Sequence, residues 1–224
     1  MKFPWIQFNL KFITLYALGI LALGAGVALF ARANLGVAPW DTAILNFKQL
    51  LISLQISITL GESSLIHSFC LLMVVLILGR RWQSLMAVIP MVAISLSIDF
   101  WDSFVFINLS SDSLNLFTRI VFFVLATLLM TWGLATIIIS GFPPNVYDDF
   151  HLTLLRVFHI QSFALGRWII EFMGLAIGLI YALIQGDGFG SITILSFGLA
   201  MAFGSLITFF VNQYKTRKIL NRQL

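Results

Sequence analysis

Apolar residues in this chain run in long blocks, separated by Gly, Pro and small groups of charged residues. A helix needs roughly 20 mostly apolar residues to cross the hydrocarbon core of a bilayer. Six segments reach or approach that length: Phe12–Ala31, Ser63–Leu78, Ser84–Ile98, Phe117–Ser140, Gly166–Ile184 and Ser191–Val211. The third is predicted to continue to Ile107, and the second is the shortest and carries His67. Lys2 and Lys11 before the first block, with Ala31-Arg32-Ala33 after it, have the look of a signal peptide. The block exceeds the roughly 7–15-residue core of such signals, so an uncleaved first span is predicted.

Two stretches have a different period. Thr42–Ile58 places Ile44, Phe47, Leu51, Leu54 and Ile58 on one helical face, with Asn46, Gln49, Ser53 and Ser57 on another. Tyr147–Phe158 repeats this more weakly, with Tyr147, Phe150, Leu154 and Val157 against Asp149, Thr153 and Arg156. Both are predicted to be short amphipathic helices, lying in the interface or folding into the membrane as re-entrant pieces. Making both span would move Arg80-Arg81 to the outer side, against the distribution of charge.

Composition changes the picture from helical to membrane-embedded. The 224 residues are 60% hydrophobic and 10% charged, with a mean hydropathy of +1.01. Soluble domains average about 45–50% apolar and about 25% charged residues. That excludes a water-soluble globule, and with it most soluble enzyme classes and nucleic-acid binding. The net charge of +4 arises from 13 Lys and Arg against 9 Asp and Glu. With the N-terminus inside, the inner side holds Lys2, Lys11, Arg80, Arg81, Arg156, Arg167, Lys215, Arg217, Lys218 and Arg222. The outer side holds Arg32, Lys48 and Arg119, and its loop around Asp99, Asp102 and Asp112 has no basic residue before Arg119. This is the sense of the positive-inside rule, and it predicts six spans with both termini in the cytoplasm. The lone cysteine, Cys70, can form neither an internal disulfide nor a CxxC metal site.

The two halves share an order of parts: a span, a Gly-x-x-Pro break, an amphipathic helix, two spans. Gly36 and Pro39 in G-V-A-P-W-D (36–41) correspond to Gly141 and Pro144 in G-F-P-P-N-V-Y-D (141–148), where Pro143 adds a second proline. Gly61 matches Gly166, and R-W-Q-S (81–84) sits where G-F-G-S (188–191) sits. Three spans per half is an odd number, so a duplication puts the halves in opposite orientations, as in many secondary transporters. The expectation is an all-α membrane fold in one domain: six transmembrane helices as two inverted three-helix repeats, 12–107 and 117–211, then a basic cytoplasmic tail at 212–224.

The stretch A-R-A-N-L (31–35) followed by G-V-A-P-W-D, S-I-D-F (97–100) ending the third span, and G-F-G-S with G-L-A-M-A-F-G-S-L (198–206) resemble the YczE/YyaS/YitT family of bacterial membrane proteins. The resemblance runs from about Leu21 to Phe210. It implies a bacterial inner-membrane protein of poorly defined activity, for which architecture suggests transport, and it favours Asp99 over Asp102 as a functional residue. The chain departs from the family pattern at Arg81-Trp82-Gln83, which lacks glycines, and at Pro143-Pro144-Asn145, which lacks a Pro-x-Asp.

Several residues are candidates for chemistry, each with a structural alternative. Asp41, after Pro39 and Trp40, is either a helix cap or a proton or cation site beside a broken helix end, with Trp40 a membrane-interface anchor or part of a binding wall. Asp99 and Asp102 are solvated span-end residues or coupling carboxylates. Arg167 and Glu171, at i and i+4, share a face and pair, as a structural bridge or as a gate or proton relay. Asp148 and Asp149 lie with His151 and Arg156, either as a solvated cytoplasmic face or as adjacent carboxylates that repel and raise one pKa if buried. Arg32 and Arg80-Arg81 read as topology determinants, with anion attraction second. His67 reads as a hydrogen-bonded core histidine and Pro90 as a kink in the third span. Gly174-x-x-x-Gly178 and Gly198-x-x-x-Ala202 are small-residue stripes for close packing, and they permit a homo-oligomer.

HExxH, GxSxG and P-loop signatures are absent from the sequence. Tyr147-Asp148 with Gly186-Asp187 faintly resembles the paired aspartates of presenilin-like proteases, but Ile184 stands where the first glycine is needed. No cofactor or metal is expected, and the reading is non-enzymatic. A small secondary transporter or exporter of an unidentified solute is the leading expectation, with its site at the repeat interface near Arg32, Pro39, Trp40 and Asp41 and with Asp99 and Glu171 as coupling carboxylates. The alternative is a non-catalytic accessory protein that stabilises or regulates a partner. The topology is testable in a Cys70→Ser background: a membrane-impermeant maleimide added to intact cells is expected to label Asn108→Cys and to spare Gln161→Cys, and the reverse pattern overturns the orientation.

Overall fold

A computed structural model describes residues 10–109 and 114–223 of the chain. Lys2 and Asp112, counted above in the charge distribution, lie outside the described residues, and the side chains of the tail beyond Tyr214 are likewise not described. Eight α-helices make up the architecture among the described residues. They are α1 (Leu10–Ala33), α2 (Pro39–Ser53), α3 (Leu60–Gly79), α4 (Val88–Phe100), α5 (Leu116–Ser140), α6 (Val146–Val157), α7 (Phe163–Gln185) and α8 (Ile194–Gln223). A 3-10 segment, Trp82–Ala87, precedes α4, and a π-helical turn, Trp101–Val105, follows it.

Among the described residues, six stretches are long and apolar enough to cross a membrane: Leu10–Ala33, Leu60–Gly79, Trp82–Val105, Leu116–Ser140, Leu165–Gln185 and Ile194–Tyr214. These are the six blocks read from the sequence, extended by a few residues at most ends. The two amphipathic stretches form α2 and α6, too short to cross. Pro90, expected as a kink, instead lies in the first turn of α4 directly after the 3-10 segment, where its missing N–H costs least.

The packing brings the halves together by exchange. α1 lies along α5, with α4 against α1 and α8 against α5. The short helices cross over: α2 packs on α7, and α6 packs on α3. One core, built around Phe30, Ile98, Ile137 and Phe203, joins the long helices. A second, built around Trp40, Leu72, Val75, Phe150 and Ile170, is where the short helices meet α3 and α7.

The α2–α7 contact depends on the Gly174-x-x-x-Gly178 stripe. A Cβ on Gly174 would lie 3.1 Å from the Pro39 carbonyl, and one on Gly178 would lie 2.5 Å from the Thr42 hydroxyl. Further along, Phe47 meets Tyr181, with ring centroids 5.2 Å apart. The two helices therefore run in the same direction, with the first turn of α2 set against the middle of α7. The second stripe behaves otherwise: nothing lies within 4 Å of a Cβ on Gly198, so it makes no close helix contact within the chain.

α2 is also less simply amphipathic than its sequence suggests. Asn46, assigned to a polar outer face, is fully buried, and its amide donates to the Gly178 carbonyl (2.9 Å) and accepts from the Ser191 N–H (2.9 Å). Leu54, assigned to the apolar face, falls beyond the end of the helix and is exposed. Overfilling a close-packed contact costs about 1–3 kcal/mol. Gly178→Val is therefore expected to lower the Tm of the detergent-solubilised protein, while Gly198→Val leaves it unchanged, as a thermal melt of the two variants would read.

Candidate functional site

The first turns of α2 and α6 arrive at one place. α2 begins with Pro39, Trp40 and Asp41 after an extended Ala38, and α6 begins with Val146, Tyr147 and Asp148 after an extended Asn145. An aromatic residue at the second helical position and an aspartate at the third thus recur in both. The Trp40 and Tyr147 rings pack at 4.9 Å. Neither helix has a side-chain cap on its N-terminal N–H groups. Asp41 is the third helical residue, so it stands in the first turn of α2, and the N-cap position itself is held by Ala38.

Between these ends lies a cavity of about 70 Å³ to which all eight helices contribute. One side is polar: Asp41 from α2, Asp148 and Tyr147 from α6, Arg167 and Glu171 from α7, and Ser64 from α3. The opposite side is apolar, formed by residues such as Leu23, Val27, Ile94, Met130 and Leu134. That volume suits roughly a handful of waters, since one occupies about 10–15 Å³ on this measure.

Arg167 holds the polar side together. Its Nη1 donates to Asp148 Oδ1 at 2.9 Å, and its Nε lies 2.7 Å from Glu171 Oε1. The second approach is close without hydrogen-bond alignment, and neither atom has another partner. The i, i+4 spacing had indicated this pair. The link from Arg167 to Asp148, 19 residues away in sequence, had no local signal.

Asp41 is different. It is 5% exposed, and its Oδ2 has no hydrogen-bond partner. Trp40 Nε1 beside it is also buried without a partner. Burial pushes the Asp41 carboxyl up, to about 8, and the Glu171 carboxylate adds to the rise. The phenol of Tyr147 is raised as well, chiefly by burial. Three carboxylates therefore share one cavity with a single guanidinium. The Trp40 ring packs edge-on against His67 at 5.9 Å, and His67 Nδ1, expected to be hydrogen-bonded, lacks a partner.

The remaining predicted site residues lie elsewhere. Asp99 accepts from the Gly61 N–H (2.7 Å) and the Thr59 hydroxyl (2.8 Å), where it ties α4 to the start of α3. Arg32 clamps Asp102 (2.6 Å) and also donates to the Leu109 carbonyl (2.9 Å), closing the end of α1 onto the loop after the π-helical turn. The sequence placed Arg32 and Asp99 beside Asp41. In the fold both are engaged outside the cavity, because the non-helical 34–38 segment, turned at Asn34 (φ +47°) and Gly36, carries the start of α2 away from the end of α1. Gly36 in that segment, with φ +128°, Gly141, with φ +73° at the end of α5, and Pro143 and Pro144 before α6 shape the backbone rather than the cavity wall. Asp187 is exposed in the loop at the far end of α7 from Arg167, so it cannot pair with Asp148.

One family model covers the stretch that holds both breaks, both short helices and nearly all of the six spans. The model of a family of unknown function, DUF6198, matches residues 10–212. The chain belongs to that family. It is also 26% identical, over 168 residues, to the uncharacterized protein YyaS of Bacillus subtilis (strain 168), covering 74% of this chain and 79% of that protein. No solved structure matches. The DUF6198 member described here is thus a multi-pass helical membrane protein of a bacterial family.

The buried state of Asp41 has a measurable consequence. Its folded carboxyl holds a proton up to about pH 8, whereas an unfolded chain releases it near 3.8. Stability from this group is therefore greatest in acid and is lost as pH climbs from about 4 to about 8. The Tm difference between wild type and Asp41→Asn is expected to turn against wild type across that interval, and a difference independent of pH would contradict the assignment.

Proposed function

We propose that this protein is a small secondary transporter, built as two inverted three-span repeats whose short helices re-enter from opposite faces, with its solute site in the central cavity. The observation that carries this reading is the meeting of the first turns of α2 and α6 at a cavity where a buried Asp41 oxygen has no partner. Broken helices whose ends converge midway through the membrane, at the junction of two repeats, are the usual construction of transporter sites. The exchange of partners supports the repeat, since α2 on α7 and α6 on α3 are equivalent contacts under a two-fold relation.

The cavity also has a neighbour. Arg167 lines both the cavity and a cleft of about 490 Å³ between α7 and α8, reached past Gly204, Ser205 and Thr208. A side chain shared by the two spaces is suited to open or close a route between them, and its carboxylate partners set the protonation state in which it moves. Asp41 is the coupling carboxylate on this reading, Asp148 and Glu171 hold Arg167, and Arg32 and Asp99 hold the frame.

One observation favours a second reading. The last two spans are 33% and 28% buried within the chain, against 61% for the first, which leaves a broad α7–α8 flank for a partner or a second copy. An accessory protein would use that flank and carry nothing. The two separate in proteoliposomes given a pH gradient and a pool of small metabolites, with the lumen analysed by mass spectrometry. The transporter is expected to accumulate at least one solute about tenfold over Asp41→Asn that has been shown to be folded. No accumulation, with a stoichiometric partner co-purifying, would establish the accessory role instead, and full accumulation by Asp41→Asn would remove that residue from the site.

A further inference from the structure

The charges that face the cavity do not balance. Asp41 comes from α2, Asp148 from α6, and Glu171 and Arg167 from α7. The other titratable groups nearby are Tyr147 and the buried His151 on α6, His67 and Cys70 on α3 and Tyr181 on α7, with the rings of His67 and Tyr181 set edge-on in series behind Trp40 at 5.9 and 6.2 Å. With every carboxyl ionised, the site holds three negative charges against one guanidinium. The N-terminal ends of α2 and α6 contribute roughly half a positive charge each. About one negative charge is left over, in a place where an uncompensated ion is costly. With the histidines neutral, the balance calls for one positive equivalent, as a proton or as a ligand, and the carboxylate oxygen of Asp41 that has no partner among the described residues, Oδ2, is placed to receive it.

The walls say what kind of ligand fits. An added anion would double the imbalance. A bare metal ion needs several ligands converging at short range, and among the described residues no three Asp, Glu, His or Cys side chains are so placed. An organic cation needs no such shell, because its charge is spread over the molecule. Trp40 and Tyr147 line the cavity and offer aromatic surface, which attracts such cations and does so best at tryptophan. The facing wall of Leu23, Val27, Met130 and Leu134 would cover an apolar body, and a space of about 70 Å³ limits it to a few heavy atoms.

We infer that the solute of this site is a compact organic monocation of the ammonium or guanidinium type, taken up in exchange for one proton from Asp41. The inference rests on the transporter reading for the movement of the solute, but not for its binding. The exchange is neutral: the cation enters with one positive charge, the Asp41 carboxyl becomes a carboxylate, and the proton leaves toward the aqueous side.

The test uses the full chain, purified in detergent and weakly buffered near pH 7, with methylammonium, guanidinium and tetramethylammonium chlorides at millimolar concentration. Sodium chloride and sodium acetate serve as controls. At least one organic cation is expected to release about one proton per protein, read by an indicator dye, and to raise the Tm by about 5 °C at saturation. Folded Asp41→Asn should release none. Stabilisation by acetate in place of the cations would overturn the ligand class, and cation binding without proton release would overturn the exchange. Where Asp41→Asn fails to fold, carbodiimide labelling of Asp41 in the unaltered protein supplies the readout: bound cation should slow it at least fivefold, and an unchanged rate counts against the site. Proteoliposomes then separate the two readings. A cation that binds and releases a proton but is never carried leaves the ligand class standing and ends the transporter reading, whereas transport of a neutral or anionic solute with no cation binding does the opposite.

Discussion

The salt-bridge cluster at Arg167 is the constraint around which the rest of the structure is arranged. One guanidinium sits between Asp148 and Glu171 in a region that excludes most water, and a buried ion survives there only if its partners are held in place. Holding Asp148 fixes the first turn of α6 against α7. The first turn of α2 is fixed to the same helix a little further along, by backbone contact at Gly174 and Gly178. α7 is therefore the common support for both short helices, and the ring contact between Trp40 and Tyr147 follows from where it places them.

A membrane imposes a second requirement, that backbone groups outside regular helix find partners within the protein. The extended segment before α2 meets it with hydroxyls from the start of α8. The Val37 N–H donates to Ser196 Oγ (3.2 Å), and the Leu35 carbonyl accepts from Thr193 Oγ1 (2.8 Å). Asn46 does the same for Ser191, whose N–H donates to its Oδ1 (2.9 Å). Where that segment leaves α1, Arg119 donates to the carbonyls of Ala33 (2.7 Å) and Asn34. Polar side chains that look like a solvated face in sequence are thus the means by which broken backbone is accommodated.

That explains which parts of the protein could be read from its sequence. The six spans were legible because hydrocarbon thickness acts on local composition, and so was the Arg167–Glu171 pair, which one helical turn brings together. The convergence of Asp41 and Asp148 was not legible, because matching Gly36 and Pro39 with Gly141 and Pro144 sets Asp41 opposite Val146, and the recurring aromatic and aspartate emerge only once the helix starts are known. Asn46 was misplaced because helical periodicity separates polar from apolar faces without saying what covers each one. Asp99 and Arg32 looked exposed or functional because their partners, the start of α3 and the loop after the π-helical turn, are set by packing between segments distant in sequence.

On the inverted-repeat reading, the symmetry is broken at the residues that matter most. Aligning Gly61 with Gly166 sets Glu62 opposite Arg167 and Ile66 opposite Glu171. Glu62 is spent on the start of α3, where its carboxylate accepts from the Thr59 N–H (2.8 Å) in a capping box, and Ile66 is exposed. The first half therefore supplies an aspartate without a cation, and the second supplies an aspartate with one. Two symmetric helix ends would present two equivalent carboxyls and no reason for either to change state. Among the described residues Arg167 pairs with Asp148 and Glu171 and leaves Asp41 without a cation, and it is this inequality between the two helix ends that the proposed exchange of a proton for another positive partner uses.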